Sequence, residues 1–143
     1  MKTRQQGFTL VELIVVIVIL GILAATAIPR YAAYTSDARK ASLNGLAGAV
    51  NAAVAIVQAR YVATGDLTAT TVTMADGTSV AVSSGAGGGI PTLVGIQNAV
   101  NFTGFSYDNT TGIFDFPTAI ANCSVTYTAA TGIAALTGGG SGC

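Results

Sequence analysis

An almost uninterrupted apolar run, from Phe8 to Ile28, is the feature that most constrains how this chain can fold. Its 21 residues contain one charge, Glu12, and two basic residues, Lys2 and Arg4, precede it. As a helix the run would be about 31 Å long, which matches a bilayer hydrocarbon core of roughly 30 Å. Basic residues before a spanning helix keep that end in the cytoplasm. The sequence therefore predicts a membrane-spanning helix with a cytoplasmic N-terminus.

A helical period continues beyond the apolar run, from Arg30 to Tyr61. Large apolar residues recur there at steps of three and four, which is the spacing of one helix face. They are Leu43, Leu46, Val50, Val54, Val57 and Tyr61. Pro29 is expected to kink the helix between the two segments rather than to end it. This second segment is therefore predicted to be an amphipathic helix that packs on its own domain.

After Tyr61 the composition shifts to Thr, Gly, Val and Ser, which favours strands and turns. We predict a short strand at Thr78–Val82, a hairpin turning over Asp108–Gly112, and a strand in "CSVTYTA". The stretch "GAGGGIP" is expected to be a flexible loop, and the tail "GGGSGC" to have no structure of its own. The predicted fold class is α+β, with a long N-terminal helix packed on a C-terminal antiparallel sheet of about four strands.

The two cysteines, Cys123 and Cys143, are too few for a structural zinc site. Together with an export-like N-terminus, they indicate one disulfide formed in an oxidising compartment. The alternative is a pair of free thiols. A bridge would close a loop of about 20 residues and stabilise the small domain by roughly 3 kcal/mol in the chain-entropy model.

Several classes of function are disfavoured by composition. There is no His, no plausible Cys nucleophile, no recognisable carboxylate pair and no calcium-binding loop, so we predict neither an enzyme nor a bound cofactor or metal. Every Lys and Arg lies at or before Arg60, which leaves the C-terminal half weakly acidic and poorly suited to nucleic acid. Asn-x-Ser/Thr sequons at Asn101, Asn109 and Asn122 are expected to be chance occurrences in so Thr-rich a chain.

Glu12 does not fit an ordinary signal peptide. A small-residue cleavage site at Ala25-Thr26-Ala27 would release a secreted binding domain that begins at Ile28, but it leaves the carboxylate unexplained. Ionisable residues in membrane segments are usually functional and have a partner. A cut after Gly7 would supply one, because the new α-amine of Phe8 carries the opposite charge. Pairing of that amine with Glu12 of a neighbouring subunit would set the register of an assembly.

The stretch "GFTLVELIVVIVILGILAATAIPRY" resembles the N-terminal signature of type IV prepilins and their pseudopilin relatives. The matching positions are Gly7, Phe8, Glu12, Gly21 and Pro29. The resemblance is strong over about residues 1 to 60 and architectural beyond them. It implies that prepilin peptidase cuts between Gly7 and Phe8 and N-methylates Phe8. It also implies that Glu12 meets the Phe8 amine of a neighbour, and that the helix between Gly21 and Pro29 melts when subunits pack.

From the residues and this resemblance together we expect four segments. These are a leader at 1–7, a membrane and assembly helix at 8–29, an amphipathic helix at 30–61, and a β head at 62–143. The region between Cys123 and Cys143 would form the variable surface of the head.

The expected function is that of a major type IV pilus subunit, which polymerises through its N-terminal helix for adhesion, twitching motility or DNA uptake. Implied partners are copies of itself, prepilin peptidase, the inner-membrane assembly platform, assembly and retraction ATPases and the outer-membrane secretin. The precursor would lie in the inner membrane and the product in an extracellular filament. A type II secretion pseudopilin or a minor pilin is the alternative within the family.

Overall fold

The computed structural model describes residues 7–143, except for the side chains of residues 29 and 32. The predicted leader, apart from Gly7, lies outside the described residues. A long helix, α1, spans Leu10–Thr64. The elements that follow it are β1 (Thr71–Thr73), β2 (Ser79–Ala81), α2 (Leu93–Ala99), β3 (Ser106–Asp108), β4 (Ile113–Asp115), β5 (Val125–Thr128), β6 (Ile133–Leu136) and a 3-10 turn (Thr137–Gly140).

Helix α1 ends at Thr64, directly before a residue in the left-handed backbone conformation. Gly65, directly after the helix, has φ of +70°, and its N–H donates to Val62 O at 3.1 Å. Glycine adopts this conformation without steric cost, so it commonly terminates helices. The chain divides into two compact units after Asp37, and the second unit contains the C-terminal half of α1 with all the elements that follow.

The main sheet of the second unit is an antiparallel meander in the order β3-β4-β5-β6. The predicted hairpin is confirmed: β3 pairs with β4, with Tyr107 opposite Phe114, and the Gly112 N–H closes the turn on Asp108 O at 2.8 Å. A separate two-stranded hairpin joins β1 and β2. The α+β class with a sheet of four strands is therefore confirmed.

The core lies between α1 and these two sheets. The predicted apolar stripe of α1 is buried at all six positions, and its first four residues share one cluster with Ile96, Phe114, Val125, Tyr127 and Ala134. Val57 and Tyr61 form a second cluster with Val72, Val80 and Val82. Full burial of such a side chain contributes about 1.5–3 kcal/mol, so the stripe attaches the helix firmly to the sheets.

A polar contact closes the outer edge of the main sheet. The Asn51 side-chain amide, on α1, donates from Nδ2 to Ala134 O at 3.1 Å, and its Oδ1 accepts from Ala134 N–H at 2.8 Å. Ala134 belongs to the edge strand β6, whose outward N–H and C=O groups would otherwise be open to another strand. Asn51 thus occupies the place of a fifth strand at that position.

Three tyrosine hydroxyls hold loops against the core by donating to backbone carbonyls. Tyr61 donates to Leu67 O, Tyr107 to Leu93 O at 2.7 Å, and Tyr127 to Pro91 O at 2.6 Å. The Tyr61 hydroxyl also accepts from Gly85 N–H at 3.1 Å, which anchors the start of the glycine-rich stretch "GAGGGIP". Buried phenols generally find such partners, because an unpaired hydroxyl is costly to bury.

The prediction that the tail lacks structure was wrong. A 3-10 turn covers Thr137–Gly140, Gly140 is buried, and the Gly142 N–H donates to Asn122 O at 3.2 Å. Gly138, Gly139 and Gly140 all have positive φ, which suits glycine. The bridge at Cys143 holds the tail against the domain, so its glycines act as turn residues rather than as a linker.

The sequence did not reveal β1, β6 or α2. Strands of three and four residues are too short to show a clear alternation. Helix α2 begins at a local N-cap, where Thr92 Oγ1 accepts from Gly95 N–H at 3.0 Å. It also packs closely on β2, because a Cβ on Gly95 would lie only 2.0 Å from Ala81 O. Only glycine fits this approach of α2 to β2.

Candidate assembly segment

The apolar run is exposed along its whole length in the described part of the chain. Every side chain from Phe8 to Ile28 is exposed, including Phe8 at 91% and Leu10 at 74%. Soluble proteins rarely leave so large a continuous apolar surface in water. Among the described residues, α1 is also the one helix long and apolar enough to cross a membrane, judged by length and composition only. A run of this kind is suited to a lipid or protein environment rather than to water.

Glu12 has a partner in its own first helical turn. Its Oε2 accepts from Thr9 N–H at 2.9 Å and from Thr9 Oγ1 at 2.7 Å, while Glu12 N–H donates to Thr9 Oγ1 at 3.3 Å. Thr9 directly precedes α1, so it is the N-cap and Glu12 is the third helical residue. This reciprocal arrangement is a capping box, which satisfies two N–H groups that the helix leaves unpaired.

This cap was not predicted from the sequence, although Thr-x-x-Glu before an apolar run is its known signature. The cap occupies one carboxylate oxygen, Oε2, and no hydrogen bond to Oε1 is seen from any residue in 7–143. Glu12 therefore keeps an oxygen for a second donor. In the uncut chain the Phe8 nitrogen is a peptide nitrogen and has no charge, so the expected pairing of these two groups remains a prediction.

Gly21 and Pro29 both lie within α1, which continues through them. A Cβ on Gly21 would have no atom within 4 Å, so no contact among the described residues requires glycine there. Proline removes one helical hydrogen bond, and glycine in a helix interior costs about 1 kcal/mol relative to alanine. The stretch between them thus has weak helix formers at both ends, which fits the predicted melting but does not test it.

The disulfide at the other end of the chain is confirmed. Cys123 and Cys143 are bonded across a separation of 20 residues, and no free cysteine occurs in the described chain. Cys123 is fully buried in the main core cluster. The bridged region contains β5, β6 and the 3-10 turn, so the cross-link ties the tail to the sheet.

The acidic residues of the head are held by local turns. The Thr68 hydroxyl lowers the pKa of Asp66, and the backbone N–H groups of Thr78 and Thr110 lower the pKa of Asp76 and Asp108. These carboxylates therefore stay charged on the surface. No group of three or more His, Cys, Asp or Glu suited to a metal occurs among residues 7–143.

Comparison with known proteins finds a family motif at the N-terminus and several relatives that match part of the chain. The family described as the prokaryotic N-terminal methylation motif matches residues 2–28. The "Type IV narrow pilus major component PilA5" of Thermus thermophilus is 49% identical over 65 residues, covering 44% of this chain and 56% of that protein. The "Type IV major pilin protein PilE1" of Neisseria gonorrhoeae is 59% identical over 39 residues, covering 27% of this chain and 24% of that protein.

A third relative, the "Fimbrial protein EcpC" of Eikenella corrodens, is 46% identical over 54 residues, covering 38% of this chain and 35% of that protein. The chain thus spans about half or less of the length of these relatives. No solved structure gave a significant match. The methylation motif covers the apolar run with its Thr9–Glu12 cap and ends before the β head.

Proposed function

We propose that this chain is the major structural subunit of a type IV pilus. The methylation motif and the relatives support a type IV pilin, and type IV pilins are a structural rather than an enzymatic family. The observation that carries the proposal is the fully exposed apolar run, whose only charge is a capped glutamate. Lipid would cover this run in the precursor, and identical helices of other subunits would cover it in the filament. The contact between subunits is then heterologous and can repeat without closing.

The proposed route begins in the inner membrane. Prepilin peptidase removes residues 1–7 and methylates the new N-terminus at Phe8. The assembly platform and its ATPases then transfer the subunit from the bilayer into the filament, which leaves through the outer-membrane secretin. Adhesion and twitching motility are the tasks proposed for the filament, and a role of the head in binding DNA is disfavoured by its lack of Lys and Arg.

Glu12 has two successive roles in this proposal. In the precursor, the bonds from Thr9 to Oε2 lower the cost of a carboxylate near the membrane surface. After cleavage, the Phe8 amine of a neighbouring subunit binds the remaining oxygen, Oε1. A neighbour in the correct register neutralises both charges, whereas a misplaced one leaves two charges unpaired in an apolar bundle. Melting between Gly21 and Pro29 would then let the heads adjust to the packed helices.

The capping box allows a test that separates the charge from the cap. Glutamine at the third helical position also closes a capping box, so Glu12→Gln removes the charge and keeps the cap. Glu12→Val removes both. We expect both variants to reach the membrane fraction at the normal level, and both to lose sheared filaments. Normal filaments from Glu12→Gln would show that the cap, and not the charge, is what assembly needs.

The N-terminal residue and intact mass of the mature protein test the processing step. A start at N-methylated Phe8 supports the pilin route. A start at Ile28 would mean an ordinary signal peptide and a secreted domain, and the filament function would be wrong. The relatives are named as major pilus components, major pilins and fimbrial proteins, which favours a pilin over a secretion pseudopilin.

A further inference from the structure

The three Asn-x-Ser/Thr sequons differ in what their hydroxyl group binds, and from this difference we propose that Asn101 is an acceptor site for an N-linked glycan. In N-linked glycosylation the asparagine amide is the nucleophile, and the hydroxyl residue two positions later is part of the recognised motif. A usable site therefore needs an accessible amide and a hydroxyl free to act on it. The structure separates the three sequons by this criterion.

Asn101 and Thr103 meet the requirement. Both side chains are exposed, and they flank the half-buried Phe102 in the loop between α2 and β3. Asn101 Oδ1 accepts from the Thr103 hydroxyl at 2.6 Å and from the Thr103 N–H at 3.1 Å. Asn101 Nδ2 has no hydrogen-bond partner among the described residues. The amide is therefore oriented by its own sequon, with its nitrogen open to an incoming donor.

The core holds this loop in place. The Phe102 ring packs edge-on against Phe114, with ring centroids 5.5 Å apart, and against Tyr107 at 6.0 Å. Phe105 N–H closes the following turn on Phe102 O at 2.9 Å. The middle residue of the sequon is thus anchored inward while its two outer residues face solvent. The folded protein presents the motif ready for recognition.

The sequon at Asn109 has its hydroxyl bound elsewhere. Thr111 Oγ1 donates to Asp108 Oδ2 at 2.8 Å, and the Thr110 N–H donates to Asp108 Oδ1 at 2.8 Å. The Thr111 hydroxyl, which corresponds to the Thr103 hydroxyl of the first sequon, is therefore held by a neighbouring carboxylate and not by the Asn109 amide. Asn109 is exposed, so exposure alone does not distinguish it from Asn101.

The sequon at Asn122 is buried at its other two positions. Cys123 is fully buried in the disulfide, and Ser124, 6% exposed, donates its hydroxyl to Thr137 Oγ1 at 2.9 Å. Asn122 itself has φ of +58°, and its carbonyl accepts from Gly142 N–H. A transferase acting on the folded chain has no access to this hydroxyl.

The chemistry of transfer explains why the Asn101 geometry matters. Nδ2 attacks the anomeric carbon of a sugar activated as a phosphate or pyrophosphate ester. The C–N bond forms, the sugar–oxygen bond breaks, and the phosphate leaves with the electron pair. Nδ2 gives up a proton to a base of the transferase, and the negative charge that develops on the amide spreads to Oδ1. Two donors from Thr103 already point at Oδ1 and stabilise this charge.

Peptide mapping can test the proposal without ambiguity about position. Cleavage before each aspartate places the sequons on separate peptides, 76–107 with Asn101, 108–114 with Asn109 and 115–143 with Asn122. In protein isolated from its own cells we expect the mass of one glycan on peptide 76–107 and unmodified masses for the other two. An unmodified 76–107 peptide, or equal modification of 108–114, would overturn the proposal.

Variants assign the modified atom. Asn101→Gln and Thr103→Ala should remove the added mass completely, whereas Thr103→Ser, which keeps the hydroxyl, should retain it. Asn109→Gln is the matched control and should leave the mass on 76–107 unchanged. An added mass that survives Asn101→Gln would place the sugar on a Ser or Thr instead, and the proposal would be wrong. The test is independent of filament formation, because it reads only the exported chain.

Discussion

The two ends of helix α1 use similar apolar residues to opposite effect. From Phe8 to Ile28 every side chain is exposed, whereas between Leu43 and Tyr61 the stripe residues are at most 5% exposed. The difference lies in the pattern. The first segment is apolar all round and must be covered from several sides, while the second carries one stripe and needs cover on one side only. The first is therefore left exposed by the described residues, and the second is covered by its own domain.

Glu12 and Asn51, which both lie on α1, show the same contrast. Glu12 keeps a carboxylate oxygen for a donor from outside the chain, beside its cap at Thr9. Asn51 uses both ends of its amide on one residue of the sheet, Ala134. In the proposed filament the first polar group takes part in association, whereas Asn51 covers the open edge of β6 at Ala134.

The largest expected change in the free energy of unfolding comes from comparing the same substitution, Leu→Ala, in the two segments of α1. Leu43→Ala should lower the free energy of unfolding of the head by about 2–5 kcal/mol, since Leu43 is fully buried. Leu20→Ala, at a side chain that is 57% exposed, should leave it unchanged. Guanidinium unfolding of the full chain in mild detergent, followed by near-UV circular dichroism, measures both. Equal losses in the two variants would contradict the division of the helix.

A smaller effect is expected at the edge of the sheet. Asn51→Leu should lower the free energy of unfolding by about 1–3 kcal/mol, because the Ala134 N–H and C=O lose their partners. Asn44→Leu is the matched control, since Asn44 is exposed on the same helix and makes no hydrogen bond among the described residues. The same unfolding measurement applies. If both variants unfold alike, Asn51 does not protect the edge.

The smallest expected effect is a loss of head stability at alkaline pH. Burial, with a lesser contribution from the Asp108 charge, raises the pKa of Tyr107 from its ordinary value of 10.0 to about 12, and burial also raises the pKa of Tyr127. The folded state favours the neutral phenols, so their contribution is complete below pH 10 and is lost as pH rises towards 12. The apolar run contains no group that titrates there.

Unfolding measured between pH 9 and about 12 should therefore show a declining free energy for the native chain and a shallower decline for Tyr107→Phe. Parallel curves would mean that Tyr107 ionises as readily in the folded head as in the unfolded chain. Tyr107→Phe also loses the hydrogen bond from the Tyr107 hydroxyl to Leu93 O, so its free energy of unfolding at pH 9 should be lower by about 1 kcal/mol.

Local patterns were enough to predict much of the molecule. The α1 stripe from Leu43 to Tyr61 was predicted from the spacing of its apolar residues, and the hairpin around Asp108–Gly112 from its turn residues. Both signals are local in the sequence. The Thr9–Glu12 cap was not predicted, although its Thr-x-x-Glu signature is equally local. The disulfide followed from a count of two cysteines and an export-like N-terminus.

Long-range pairing could not be predicted in the same way. The tail was wrongly expected to lack structure, because its burial depends on the bridge to Cys123. The role of Asn51 depends on which strand forms the sheet edge, and β6 gave no signal in the sequence. The sequons at Asn101, Asn109 and Asn122 looked equivalent until their hydroxyl groups were seen to bind Asn101, Asp108 and Thr137.

The sequence by itself therefore determined that this chain has an apolar helix it cannot cover and an amphipathic one that it can. Both properties depend only on residue type and spacing, which are fixed along the chain. The tertiary structure alone decided which backbone edges are closed, which loops are anchored and which polar groups stay free. Those outcomes depend on residues far apart in sequence, which only the arrangement of strands brings within hydrogen-bonding distance.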